Sequence, residues 1–264
     1  MTRFSKGITI NGLRSNSLFK EFTTQDVAPS VDDLRASYNR LYTQWLGEHR
    51  DFRQAKKALE WLGVKQGRFL DIACGLGFSL DLAELKGAEA FGLDISSTAL
   101  KKSKTEKPER RLVLGNGENL PWPDNYFEYI ICLGSLEHFI RPDLGVQEIA
   151  RVLKPSGKAA VILPNSHHLQ AIYNVMKTGS ILPELQDFER FATRIEWQAF
   201  LEKNHLKVIA THKYNTGFGR IFKKGREFFW YLYNILFRLF GDIWIPLNLS
   251  FALTYICVKD VPEE

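Results

Sequence analysis

The chain has 264 residues, of which 45% are hydrophobic and 25% charged, and it carries a formal net charge of +5. That length buries a substantial core, and the composition is that of an ordinary globular protein, which excludes a low-complexity or repeat architecture. The mild positive excess reads first as a slightly basic surface and second as an affinity for anionic partners.

Residues 1–30 are polar and turn-rich, and they predict a mobile arm or lid. The start, Met-Thr-Arg-Phe-Ser-Lys-Gly, shows no long apolar run and no cleavage pattern, so the expected compartment is the cytoplasm. From Val31 to Leu62, apolar positions such as Leu34, Tyr38, Leu41, Tyr42 and Trp45 recur at helical spacing and predict one or two helices. Strand and helix signals then alternate. Strands are expected at Phe69–Ala73, Ala90–Asp94, Arg111–Leu114, Tyr126–Leu133 and Lys158–Leu163. Helices are expected at Ser79–Lys86, Ser97–Lys104 behind the Ser96–Ser97 cap signal, and near Pro142–Leu153. Such alternation predicts an α/β fold, a mainly parallel sheet with helices on both faces. Beyond Pro164 come a helix near His168–Lys177, a capped helix at Thr193–Asn204, and strand-like runs at Leu206–Tyr214 and Ser250–Lys259. The domain division is an arm with lid helices over 1–62 and a main domain over 63–264.

Residues 220–247 are strongly apolar and aromatic, and interrupt the main domain as an apolar helical insert. Wound as a helix, they gather Lys223, Glu227, Tyr231, Asn234, Arg238 and Asp242 in one stripe. Arg238, Asp242 and Pro246 argue against a continuous span. Two readings stand: packing on its own domain or a partner subunit (a homodimer), or contact with the inner face of a membrane as a peripheral protein. Arg220, Lys223, Lys224 and Arg226 would then meet anionic headgroups. Cys74, Cys132 and Cys257 lack metal spacing and read as reduced, buried thiols; no metal is expected.

The chemistry is carried by three stretches. Phe69-Leu-Asp-Ile-Ala-Cys-Gly-Leu-Gly77 reads as a strand, a small-residue loop and a helix start, where glycines admit a ligand close to backbone and free N–H groups can donate. Asp94 ends the next strand, roughly twenty residues beyond that loop, where an acid accepts from the hydroxyls of an unphosphorylated ribose. The third stretch is Gly115-Asn-Gly-Glu-Asn-Leu-Pro-Trp-Pro-Asp-Asn-Tyr-Phe-Glu-Tyr-Ile-Ile131.

The first stretch resembles the D-x-G-x-G-x-G motif of class I (Rossmann-like) S-adenosylmethionine-dependent methyltransferases, with Ala73 at the first glycine. The third resembles the same family's G-D-A-x-x-L-P-F-x-D-x-S-F-D-x-V block, with Asn116 at the acid. Cys132-Leu-Gly-Ser-Leu-Glu-His-Phe139 and Arg151-Val-Leu-Lys-Pro-Ser-Gly-Lys158 are similar to the loop after the fourth strand and the turn into the fifth, where Pro155 and Gly157 serve turn geometry. Within the family the chain resembles the small-molecule type, that of the ubiquinone and menaquinone biosynthesis methyltransferases. The resemblance implies a seven-stranded sheet closed by a C-terminal antiparallel pair, and S-adenosyl-L-methionine as cofactor. It implies cofactor contacts from Asp71, Ala73, Cys74, Gly75, Gly77, Asp94, Ile95, Asn116, Gly117, Glu118 and Leu133. Residues Phe188–Val208 resemble the family's late helix.

Methyl transfer from a sulfonium requires alignment and dryness, and a base only for acceptors with a proton of high pKa. His138, expected at the start of the helix after the fourth strand, is the candidate catalytic base, against a local capping or packing role. Tyr38 and His168 are candidate acceptor contacts, each against a structural role. The apolar insert points to a small hydrophobic or lipid-like acceptor. No N-P-P-Y or D-P-P-Y follows the fourth strand and the basic residues are dispersed, so nucleic acid is not an expected partner. A nicotinamide-dependent oxidoreductase and a non-catalytic scaffold or membrane-associated module of the same fold are the competing readings.

Overall fold

The structure, a computed structural model, describes residues 20–23, 29–44, 52–179, 188–215 and 244–261. Its chain order begins β1 (Lys20–Thr23), α1 (Val31–Gln44), α2 (Phe52–Leu62), β2 (Gly67–Ile72), α3 (Phe78–Leu85), β3 (Ala88–Asp94), α4 (Ser97–Glu106) and β4 (Arg111–Leu114). It continues with β5 (Phe127–Leu133), a 3₁₀ turn at Leu136–His138, α5 (Pro142–Val152), β6 (Leu153–Pro164) and α6 (Leu169–Thr178). It ends with β7 (Phe188–Phe191), α7 (Arg194–Lys203), β8 (Leu206–Tyr214), a 3₁₀ turn at Leu247–Leu249 and β9 (Ala252–Lys259).

Seven strands form one sheet in the order β4-β3-β2-β5-β6-β9-β8. The first five are parallel, and β9 runs antiparallel to both β6 and β8. This is the Rossmann-like arrangement with its C-terminal antiparallel closure. The strand order reverses between β2 and β5, the topological switch point outside whose carboxyl ends open α/β sheets bind ligands. Alternation along the strands feeds two cores: Leu70, Ile72, Ile130 and Cys132 pack on one face with α5 and α7, while Phe69, Ile131 and Ala160 pack on the other with α2 and α3. Trp197 of α7 is fully buried in the first core, and its indole donates to the Pro164 carbonyl at 2.8 Å. Thr193 and Glu196 form a capping box that starts α7.

Three features depart from the sequence reading. Within the arm expected to be mobile, β1 pairs antiparallel with β7, residue 20 opposite residue 191. The segment read as leading into the late helix is thus partly strand; four-residue strands whose partner lies far along the chain leave little local periodicity. Second, β6 begins at Leu153, so Pro155 and Gly157 lie within its first part, where Leu153 pairs with Phe127 ahead of a register irregularity. Third, His138 ends a 3₁₀ turn, and α5 begins only at Pro142. Most of the apolar insert, 220–243, lies outside the described residues, as does Trp45. Among the described residues no helix is long and apolar enough to cross a membrane.

Candidate functional site

A cavity of about 470 Å³ opens at the switch point. Its walls come from the carboxyl ends of β2, β3 and β5, the loops after β4 and β5, and the inner side of α1. Of the residues singled out in the sequence, Ala73, Asp94, Ile95, Asn116, Gly117, Glu118, Leu133, His138 and Tyr38 line it. Asp71, Cys74, Gly75 and Gly77 do not reach its wall; they build the loop from behind.

Asp94 organises the site. It is 4% exposed, and its carboxylate accepts from the backbone N–H of Gly75 at 2.8 Å and of Ser96 at 2.7 Å. Burial pushes its pKa up, against the hydrogen bonds from Ser96, Gly75 and Ile95 that pull it down. Beyond these backbone bonds the carboxylate keeps acceptor capacity for a ligand hydroxyl. Ser96 caps α4, accepting from Ala99 N–H at 3.1 Å, which leaves Asp94 free of that task.

The glycines serve the loop itself. A Cβ on Gly75 would come within 2.5 Å of the Tyr42 hydroxyl, and one on Gly77 within 2.9 Å of Ser103 Oγ and 3.2 Å of Arg110 Cδ. Both adopt positive φ, 53° and 77°. Cys74 turns toward the sheet, its sulfur packed where a Cβ on Gly92 would lie 2.7 Å away, and its N–H donates to Leu93 O at 3.0 Å. Burial pushes its thiol well above the ordinary range, so it is no nucleophile. Gly117 has no room for a side chain either: a Cβ would lie 2.4 Å from the Phe139 ring. Asn116 Oδ1 accepts from Glu118 N–H at 3.1 Å, so part of its acceptor capacity closes its own turn.

Ala73 holds φ at 62°, a left-handed conformation that costs a side-chain-bearing residue roughly 1–2 kcal/mol. Ala73→Gly removes that strain but loosens the unfolded chain by roughly 0.4–1 kcal/mol. The expected outcome is a net gain of up to about 1.6 kcal/mol in urea unfolding. Cofactor affinity should be equal or tighter by calorimetry.

Asp71 lies under the loop, fully enclosed, and its carboxylate accepts from the Ser79 hydroxyl. Burial pushes its pKa up to about 7, with the Ser79 bond opposing. The unfolded carboxyl titrates near 3.9, so between about pH 4 and 7 the native state binds the extra proton and stability falls as pH rises. Asp71→Asn removes this dependence. Its stability advantage over the wild type, in urea melts of the cofactor-free protein, should grow by about 3 kcal/mol between pH 5 and pH 8.

Helix α1 covers the cavity and is fastened to α4. Asn39 Oδ1 accepts from Ser96 Oγ at 2.8 Å and Thr98 N–H at 3.1 Å, and Lys102 donates to the Tyr42 carbonyl. This tie, invisible in the sequence, holds Tyr38 and Tyr42 over the loop.

A second cavity of about 260 Å³ adjoins the first and shares Gly134 with it. Ile162, Pro164, Phe191, Tyr214 and Phe251 give it apolar walls, and Glu137, His168 and Glu189 add polar groups. His168 therefore lines this space, while the neighbouring His167 is exposed. His168 Nδ1 accepts from Ala171 N–H at 3.2 Å as the cap of α6, and burial pushes its pKa down to about 4, keeping it neutral. His138, 4% exposed, lines the first cavity, next in sequence to Glu137, which lines the second.

Sequence reasoning missed Arg110, Glu137 and Glu189. Arg110, 3% exposed, donates to Leu76 O at 2.8 Å, Ser103 O at 3.0 Å and Asp81 at 2.6 Å, clamping the glycine loop to α3 and α4. Its neighbour Arg111 is exposed, and nothing in two adjacent arginines tells which is buried. Glu137 and Glu189 meet only through β7, which the sequence did not reveal.

Comparison with known proteins adds a family. Residues 70–161 match the model of a methyltransferase domain. The 2-phytyl-1,4-naphtoquinone methyltransferase of Trichormus variabilis is 31% identical over 175 residues, 61% of this chain and 75% of that protein. The demethylmenaquinone methyltransferase of Paenarthrobacter aurescens is 28% identical over 162 residues, 61% of this chain and 63% of that protein. Among solved structures, the 1,6-didemethyltoxoflavin-N1-methyltransferase of Burkholderia thailandensis, with 1,6-didemethyltoxoflavin and S-adenosylhomocysteine bound, superposes with a TM-score of 0.60 at 13% identity, over 95% of this chain and 99% of that one. The [4+2]-cyclase SpnF shares the fold as well, with a TM-score of 0.59 at 16% identity over 89% of this chain and 98% of that one. The fold by itself does not dictate methyl transfer.

Proposed function

This chain belongs to the class I S-adenosylmethionine-dependent methyltransferases, and from that premise we propose that it methylates a small hydrophobic, ring-bearing acceptor of the quinol kind. The observation that carries the acceptor reading is the pair of neighbouring cavities: a larger one with a buried carboxylate and a smaller one with apolar walls, both bordered by Gly134.

The larger cavity suits the methyl donor. Its volume falls within the range of small-molecule sites. Asp94 offers acceptors to a ribose diol, Ile95 and Leu133 offer flat apolar contact to a base, and Asn116, Gly117 and Glu118 offer backbone and side-chain partners to its edge. Ala73 and the loop behind it lie where the amino-acid end would run, with Asp71, Cys74, Gly75 and Gly77 fixing the loop's shape. The sulfonium supplies an activated methyl group. The protein's task is to line up an acceptor atom and exclude water, which α1 does by closing the cavity through Tyr38 and Tyr42.

His138 lines the larger cavity beside Glu137 of the smaller one, and its role is to handle the proton of an acceptor hydroxyl or acidic carbon. Tyr38 bounds the acceptor from the lid side and His168 from the side of α6. The relatives named for naphthoquinone and demethylmenaquinone methylation favour a quinol-like ring. An acceptor of that kind dissolves in lipid, and Tyr173, Val175, Met176 and Trp244 are exposed apolar side chains suited to a membrane surface. Co-sedimentation with anionic liposomes tests that contact; protein left wholly in the supernatant contradicts it.

The function is tested with methyl-labelled S-adenosylmethionine and a panel of reduced prenylated naphthoquinones and soluble catechols. Label is expected in the organic extract with the prenylated quinols. Label transferred only to soluble acceptors would overturn the acceptor assignment.

A further inference from the structure

Two carboxylates and an imidazole converge on the wall between the cavities. Glu137 and His138 come from the 3₁₀ turn after β5 and Glu189 from β7, and one ligand atom of each lies within 4.8 Å of the other two. Glu137 and His138 are each 4% exposed. Glu137 Oε1 is 3.8 Å from His138 Nε2, beyond hydrogen-bond reach. Glu137 Oε2 is buried with no hydrogen-bond partner at all.

Leaving a buried carboxylate oxygen unpaired costs free energy, and a second carboxylate beside it adds repulsion. The neighbouring Arg190 directs its guanidinium to the carbonyls of Phe139 and Ile140, the latter at 3.1 Å, so it braces the turn's backbone. What the unpaired oxygen calls for is a positive charge placed among these three side chains.

We propose that Glu137, His138 and Glu189 hold a divalent metal cation at the junction of the two cavities. Metal–oxygen and metal–nitrogen bonds of roughly 2.0–2.2 Å place ligand atoms up to about 4 Å apart, so contraction of less than about 1 Å closes the set. Two carboxylates with one imidazole and no thiolate form a donor set for manganese(II), iron(II) or zinc rather than a soft cation. His138 faces the donor cavity and the two glutamates face the acceptor cavity, so the cation has open positions toward an acceptor oxygen. It orients that oxygen and makes its hydroxyl more acidic. On this account His138 serves the acceptor through the cation, and this role replaces the base role given above. Only that role depends on the methyltransferase reading; the site does not.

Calorimetric titration of the chelator-treated full-length protein with manganese chloride tests the site, with electron paramagnetic resonance of the bound ion as a second signal. One manganese per chain is expected. Glu137→Gln and Glu189→Gln should each weaken binding by at least about tenfold, while Glu60→Gln on the exposed side of α2 should leave it unchanged. Absence of binding to the wild type by manganese, zinc and magnesium overturns the proposal. So does binding that folded Glu137→Gln and Glu189→Gln leave untouched. Failure of the methyltransferase reading shows separately, as loss of S-adenosylmethionine binding with manganese binding intact.

Discussion

Replacing Asp94 by alanine should reduce affinity for S-adenosylmethionine by at least about a hundredfold. The carboxylate sits at the end of β3, buried, accepting from Gly75 and Ser96 N–H at 2.8 and 2.7 Å. One side chain therefore fixes the glycine loop, orients the start of α4 and presents its remaining acceptor positions to the cavity. Hydrogen bonds to a charged group contribute roughly 1.5–3 kcal/mol each, so losing two to a ribose diol is worth about 3–6 kcal/mol, or roughly 10²–10⁴ in affinity. Alanine also leaves two backbone donors without their partner. Asparagine keeps the shape and one acceptor oxygen, and the expected loss is about tenfold. Both variants are compared with the wild type by calorimetry using S-adenosylhomocysteine, which binds without turnover. Near wild-type affinity in the alanine variant would place the cofactor elsewhere.

Arg110→Ala should remove about 2–3 kcal/mol of unfolding free energy, since a buried guanidinium loses hydrogen bonds to backbone carbonyls and to a partly exposed carboxylate. Its guanidinium joins the Leu76 carbonyl in the glycine loop, the Ser103 carbonyl and hydroxyl in α4, and Asp81 in α3. Deletion leaves the Leu76 carbonyl without this donor, while Ser103 O keeps the Lys107 N–H and Asp81 keeps the Lys107 ammonium. Lysine should not rescue it, since one ammonium cannot fill a planar fork with several partners. Arg111→Ala is the control: its contacts to Glu84 at 3.7 Å and Glu89 at 3.5 Å are surface pairs, worth less than about 1 kcal/mol. Urea denaturation of the three variants checks this. Equal stabilities for the Arg110 and Arg111 variants would contradict it.

The sheet was legible because its strands are local and its periodicity clean. Phe69 to Ile72 is apolar except for Asp71, as suits a strand covered on both faces, and Ser96 announces α4 by its cap. Asp94 was legible because β3 delivers it to a fixed place at the strand's end. At Gly75 and Gly77 the atoms that a Cβ would meet are those of Tyr42, Ser103 and Arg110. These partners come from α1, α4 and the turn before β4, and pattern along the chain does not report who meets whom. The same holds for β1 and β7, for the Asn39 tie, and for Glu189 beside Glu137. His138 was found by its place after β5, but the turn that buries it is too short to leave a periodic signal.

The central claim is that the cavity under α1 takes an adenosine-bearing methyl donor through Asp94. Calorimetric titration of the wild-type protein with S-adenosylmethionine, S-adenosylhomocysteine and NAD tests it most directly. One-to-one binding of the first two, lost in Asp94→Ala, and no heat with NAD is the predicted result. Heat with NAD alone, or with none of the three, would contradict it.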